Sequence, residues 1–212
     1  MKLALGSDGS GPCGSLPARR YPWGTLAFVA AGCLVAACPG AGAALQYDRR
    51  LVAGGEVWRL LTAQLVHLTM RMGAADLGAI LILGSWLEIQ AGKRQTAAAA
   101  LALALGATAA FLPLSSFDIY RGSSGLASAL FVLAALDTQT SSRTRLGRGL
   151  AATALTGFAA KLLAEAAGVA PIAAGQLPPG IAVATAVHLL GGAAGALAAQ
   201  LPAWRRARAL RG

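Results

Sequence analysis

The sequence predicts an all-α membrane protein folded as a bundle of six transmembrane helices. Three observations lead there. Of 212 residues, 56% are hydrophobic and only 12% are charged, about half the charged fraction of an ordinary soluble domain, which is ~25%. The apolar residues fall into six runs, each near the ~20 residues that a helix needs to cross a bilayer. The basic residues gather in short clusters between those runs and at both ends, in the pattern of membrane topology.

Residues 1–22 are rich in Gly, Ser and Pro, end in Arg19, Arg20, Tyr21 and Pro22, and lack apolar periodicity, which predicts a flexible cytoplasmic tail. The membrane domain occupies 23–201. Its first span, 23–44, is too long for the apolar core of a signal peptide, although Arg19 and Arg20 precede it. Residues 46–71 mix Asp48, Arg49, Arg50, Glu56, Trp58, Arg59 and His67 with apolar side chains. That mixture predicts an amphipathic segment at the membrane interface, with Trp58 at headgroup depth. The second span, 73–91, is closed by Lys93 and Arg94; the third, 95–114, is almost wholly Ala and Leu. A short loop, in which Asp118 is expected as a cap, leads to the fourth span, 123–138. Arg143, Arg145 and Arg148 mark a basic loop before the fifth, 149–170. A Pro/Gly-rich turn precedes the sixth, 181–201, and residues 202–212 form a basic cytoplasmic tail.

With the N-terminus inside, twelve Lys or Arg residues lie in the cytoplasm and five outside, with Lys161 in a span. This positive-inside bias turns the start of the fourth span toward the cell exterior or periplasm. The net charge of +10 is thereby explained by topology. No Arg-rich or aromatic-interleaved stripe suggests a nucleic-acid partner; the lipid bilayer is the partner that composition implies. Cys13, Cys33 and Cys38 have neither a disulfide framework nor metal-ligand spacing, so no metal and no cofactor are expected. No feature sets an oligomeric state. The apolar segments are not copies at a fixed period, which argues against a repeat-built transporter.

The stretch Gly122, Ser123, Ser124, Gly125 brings a serine to the start of an apolar run. Serine becomes a useful nucleophile when a base takes its proton, and histidine titrates in the right range. The chain has two histidines, His67 and His188, and a histidine in hydrocarbon is costly enough to suggest a function. Gly125 to Ala129 and Gly191 to Gly195 are small-xxx-small pairs of the kind that let membrane helices approach closely. If those faces meet, Ser124 and His188 come together, with Ser124 Oγ in hydrogen-bond reach of the imidazole or slightly looser in the free protein. A serine and histidine suffice as a dyad, since a third group mainly orients the imidazole. Free N–H groups in the first turn of the fourth helix are candidate oxyanion donors. Lys161 and Glu165, at i and i+4 in the fifth span, are expected to neutralise each other.

These residues resemble the rhomboid family of intramembrane serine proteases, and within it the rhombosortase branch. Gly122, Ser123, Ser124 and Gly125 with Ala129 are similar to the rhomboid Gly-x-Ser-Gly-x-x-x-small motif. The run His188, Leu189, Leu190, Gly191, Gly192, Ala193, Ala194, Gly195 is similar to the histidine-bearing last helix. Trp58, Arg59, Leu60, Leu61 and Thr62 resemble the Trp-Arg-Leu-x-Thr segment ahead of the second helix. Tyr120, Phe131 and the stretch 161–165 also fit the branch, and the likeness covers roughly residues 45–200. It implies a rhomboid-like bundle in a bacterial inner membrane, Ser124 as nucleophile and His188 as base. The implied partner is a transmembrane protein substrate with a C-terminal sorting tail. It also implies oxyanion or support roles for Gly122, Ser123, His67 and the residue at position 76, and a loop-shaping role for His67. The family pattern has a second histidine and an asparagine where this chain has Met72 and Asp76. Methionine cannot donate a hydrogen bond, and an ionised aspartate only accepts. That departure makes a catalytically inactive relative that binds transmembrane clients the competing expectation.

Overall fold

A computed structural model of the chain describes residues 21–90, 94–169 and 184–201. The expected tails at 1–22 and 202–212, the turn before the last span and Cys13 lie largely or wholly outside the described residues. Helix dominates: α1 (Trp23–Ala37), α2 (Ala41–Leu45), α3 (Arg49–Ala53), α4 (Arg59–Thr62), α5 (Met70–Ile89), α6 (Arg94–Leu114), α7 (Ser124–Ser141), α8 (Arg145–Ala166) and α9 (Thr185–Ala198). A two-stranded antiparallel ladder pairs β1 (Tyr47–Asp48) with β2 (Ile119–Tyr120).

The long helices coincide with the expected apolar runs, and local chemistry moves their ends. Residues 23–44 are not one helix. Cys38, Pro39 and Gly40 interrupt it, because proline disfavours a helical residue before it and Gly40 sits at φ +81°. The α5 helix begins at Met70, where the Thr69 hydroxyl accepts the Met72 N–H. The α8 helix begins at Arg145, where the Thr144 hydroxyl accepts the Gly147 N–H, and it ends against Gly168 in a left-handed conformation. The α7 helix runs on to Ser141, with the Thr138 and Ser141 hydroxyls bonding carbonyls one turn back. By length and composition alone, two stretches among the described residues are suited to crossing a membrane, Met70–Ile89 and Ala97–Leu114; α1 and α9 are apolar but shorter.

At the centre stands α7, packed against α5, α6, α8 and α9. Leu126, Leu130 and Leu133 of α7 join Ile80 and Leu87 of α5 and alanines of α6 and α9 in the main core. Ile82, Leu103, Leu150, Leu163 and Leu197 point outward, as side chains facing hydrocarbon would. The start of α1 is held by Glu88 near the end of α5. Its carboxylate accepts the N–H groups of Gly24 and Thr25 and the Thr25 hydroxyl at 3.0–3.1 Å, a negative group on a helix N-terminus.

Residues 46–71 differ from the single amphipathic segment that the sequence suggests. They form short pieces pinned to the start of α7. Asp48 caps α3 by accepting the N–H groups of Arg50 and Leu51. The Arg59 guanidinium, 8% exposed, pairs with Glu56 at 2.7 Å and donates to the carbonyls of Ala43 and Gln46. Trp58 remains exposed. Arg49 donates to the carbonyls of Pro113, Ser115 and Phe117 and pairs with Asp118 at 3.5 Å. Tyr47, wholly buried, donates to the Leu112 carbonyl at 3.0 Å. Among the described residues Cys33 and Cys38 are free thiols on the exposed surface of α1 and its end.

Candidate active site

Chain geometry fixes the approach to Ser124. Gly122 sits at φ +147°, a conformation open to glycine and closed to residues with a Cβ. Both its polar backbone groups are held: its N–H donates to the Ala63 carbonyl at 3.1 Å, and its carbonyl accepts from the Tyr120 hydroxyl at 2.9 Å. The chain then turns into α7, whose Ala127 N–H reaches back to the Ser123 carbonyl at 3.0 Å. The N–H groups ahead of Ala127 have no internal helical acceptor, as at any helix start.

The α7 and α9 helices cross in close contact. A Cβ on Gly191 would overlap the carbonyl oxygen of Gly125, and one on Gly195 would overlap that of Ala129. Both pairs of small residues singled out in the sequence thus lie at one crossing. The consequence for the polar groups is direct. Ser124 and His188 line one cavity of about 440 Å³, together with Asp76, Ser128, Phe131 and Lys161. Phe131 and Phe158 meet across it with ring centroids 5.7 Å apart.

The Ser124 hydroxyl lies beside the Tyr120 side chain and makes no hydrogen bond to His188, with which it shares the cavity. The Tyr120 hydroxyl donates to the Gly122 carbonyl. Rotation of Ser124 about χ1, between staggered positions, redirects its oxygen. Burial pushes the Tyr120 phenol above its ordinary range, opposed by the adjacent Ser124 hydroxyl and reinforced by the nearby Asp76 carboxylate. Tyr120 therefore stays protonated beside the serine.

His188 is held from α8. Its Nδ1 lies 2.7 Å from Glu165 Oε2 and 3.0 Å from Lys161 Nζ, while Lys161 Nζ also lies 2.8 Å from Glu165 Oε1. The expected Lys161–Glu165 pair is present and reaches one helix further than sequence reasoning carried it. The signal was available: ionisable groups in an apolar helix need partners inside the bundle, and His188 is the ionisable group of the neighbouring span. The Tyr120–Ser124 contact carried no comparable signal, since it depends on how the loop docks.

The remaining support candidates form a second cluster. His67 Nε2 is 2.9 Å from Ser123 Oγ and 3.7 Å from Asp76 Oδ2, and the Asp76 carboxylate lies near the Ser123 backbone N–H. Burial lowers the His67 imidazole to about 4, so it is neutral near pH 7. Ser123 is fully buried, whereas Ser124 borders the cavity. Met72 lies in the first turn of α5. Among the described residues no three His, Cys, Asp or Glu side chains are grouped to hold a metal ion.

The rhomboid domain family profile matches residues 54–205, more than half of the chain. No curated protein and no solved structure matches it. The matched region contains α7, α8 and α9 with the cavity between them, and the chain belongs to the rhomboid family, a membrane-protein family whose members are typically serine proteases.

Proposed function

We propose that this chain is an intramembrane serine endopeptidase in which Ser124 is the nucleophile and His188 the base. The observation that carries the proposal is that both side chains border one cavity at the start of α7, where first-turn N–H groups have no intrahelical acceptor. In the reaction, Ser124 Oγ turns from Tyr120, attacks the carbonyl carbon of a substrate peptide and passes its proton to His188 Nε2. The tetrahedral oxyanion lies against N–H groups of the first turn of α7. His188 returns the proton to the leaving amine as the C–N bond breaks, and water releases the acyl-enzyme by the reverse sequence.

The finer reading follows the rhombosortase resemblance. The substrate is a secreted protein carrying a C-terminal tail with a Gly-Gly motif, an apolar helix and a basic end. The chain spans a bacterial inner membrane six times, with both termini in the cytoplasm and the cavity opening to the periplasmic side. The positive-inside bias supports that orientation. A substrate helix has its backbone groups satisfied internally, so it must unwind locally before Ser124 can reach a carbonyl.

A second reading, an inactive relative that binds transmembrane clients, is favoured by one contact. Asp76 lies near the Ser123 N–H and borders the cavity with Ser124 and His188, a carboxylate where a developing oxyanion would need donors. Labelling with a fluorophosphonate probe in native lipid separates the two. The protease reading expects labelled wild type and unlabelled Ser124→Ala and His188→Ala. Wild type that stays unlabelled, with labelling gained in Asp76→Asn, would support the binding role instead.

A further inference from the structure

Two charged side chains one turn apart on α8 converge on a single imidazole nitrogen of α9, and their proton arithmetic selects a tautomer. Glu165 is the more buried, its side chain 2% exposed against 40% for Lys161. Its two oxygens are divided: Oε1 lies 2.8 Å from the Lys161 ammonium, and Oε2 lies 2.7 Å from His188 Nδ1. A carboxylate accepts only, so the shorter contact to the ring is an Nδ1–H donating to Glu165. With Nδ1 carrying the proton, Lys161 Nζ, 3.0 Å from the same nitrogen, finds no lone pair there and serves Glu165 as an ion-pair partner, 2.8 Å from an Oε1 that accepts no hydrogen bond. The neutral ring then has its lone pair on Nε2. The other tautomer would leave Glu165 Oε2 without a donor and place the base lone pair on the α8 side of the ring, away from a serine.

We infer that Glu165 is a positioning residue that completes a Ser124–His188–Glu165 relay, with Lys161 holding the carboxylate in place. The inference rests on the proteolytic reading above. The proton leaving Ser124 Oγ goes to His188 Nε2, giving an imidazolium whose Nδ1–H already faces an anion. The same proton leaves Nε2 for the amine of the departing peptide, and Glu165 is unchanged throughout. The charged groups around the ring are Lys161 and Glu165 from α8, and Asp76 of α5 borders the same cavity. Glu165 is the one whose oxygen meets the ring.

The test uses the full-length protein in detergent or lipid. Glu165→Gln preserves shape and lets an amide carbonyl sit at Oε2, but removes the charge. The expected result is a fall in kcat of about 10⁴-fold, the scale seen when the acid of a serine triad is neutralised, with KM little changed and thermal stability retained. A residue that merely held α8 to α9 would lower stability and leave kcat of the folded fraction intact. Because the chain has only two histidines, nitrogen-15 histidine labelling gives an independent readout, with His67→Gln assigning the pair. Wild type is expected to show His188 protonated on Nδ1 with a strongly downfield proton that disappears in Glu165→Gln. If that variant does not fold, the wild-type spectrum alone decides. His188 protonated on Nε2, or an active wild type matched in kcat by Glu165→Gln, overturns the relay while leaving the dyad. A wild type that neither cleaves nor labels overturns the dyad and the relay together.

Discussion

Replacing Gly191 by alanine tests whether the crossing of α7 and α9 is what builds the site. The added Cβ would overlap the Gly125 carbonyl oxygen, while an ordinary van der Waals contact begins at 3.4 Å. Relief therefore requires the helices to part by about 1.4 Å, because a backbone carbonyl cannot rotate away as a flexible side chain does. Overpacking of this kind costs about 1–3 kcal/mol, and a displacement of ~1 Å between reacting groups costs on the order of 100-fold in rate. Gly106→Ala on α6 is the control. Its Cβ would meet nothing within 4 Å, and the better helix propensity of alanine stabilises by up to about 1 kcal/mol. Thermal unfolding in detergent, paired with the rate of fluorophosphonate labelling, measures both quantities. A Gly191→Ala protein as stable as Gly106→Ala and labelled at the wild-type rate would refute the reasoning.

His67, held neutral at about 4 by burial against an ordinary value near 6.5, ties stability to pH. The unfolded chain binds this proton more readily, so stability is fully present above pH 6.5 and declines as pH falls toward 4. The loss is at most about 3 kcal/mol; unfolding midpoints across that window should show the decline, and His67→Gln should flatten it. Glu88→Gln removes the charge that receives three hydrogen bonds at the start of α1. A loss of about 2 kcal/mol is expected from charge-assisted bonds at a helix N-terminus, measured by the same unfolding assay; an unchanged midpoint counts against that role. In a cysteine-free background, a thiol at position 118 should react with an impermeant reagent added outside cells, and one at position 145 only after permeabilisation. The reverse pattern sinks the proposed orientation.

What the sequence revealed and what it hid divide along a physical line. Features set by neighbours in the chain were readable. The serine at the start of a helix, the Gly/Ala pairs four residues apart and the Lys161–Glu165 pair all follow from helical geometry. The core was readable in outline because apolar runs are long. Features set by the rotation of one helix against another were not. That Glu165 needs a partner inside the bundle was legible, but that it faces His188 depends on the azimuth of α8, which the sequence spacing does not fix. Ser123 meeting His67, and Tyr120 meeting Ser124, depend on the docking of 46–71 onto the start of α7. That segment was expected to lie as an amphipathic stretch at the interface, because its mixture of charged and apolar residues suits one. The buried Arg59 and the Asp48 cap instead make it a folded plug. The expected single helix over 23–44 failed for a local reason, since Pro39 and Gly40 outweigh the apolar composition around them.

The ladder between β1 and β2 joins Tyr47 to Tyr120 across 73 positions of chain. Two residues per strand is too little to persist unaided, so the seam relies on the buried Tyr47 and Tyr120 side chains that pack in one core cluster. Tyr120 belongs to that seam, and its hydroxyl also holds the Gly122 carbonyl at 2.9 Å. Two short strands far apart in sequence thereby set the backbone turn from which Ser124 enters its helix.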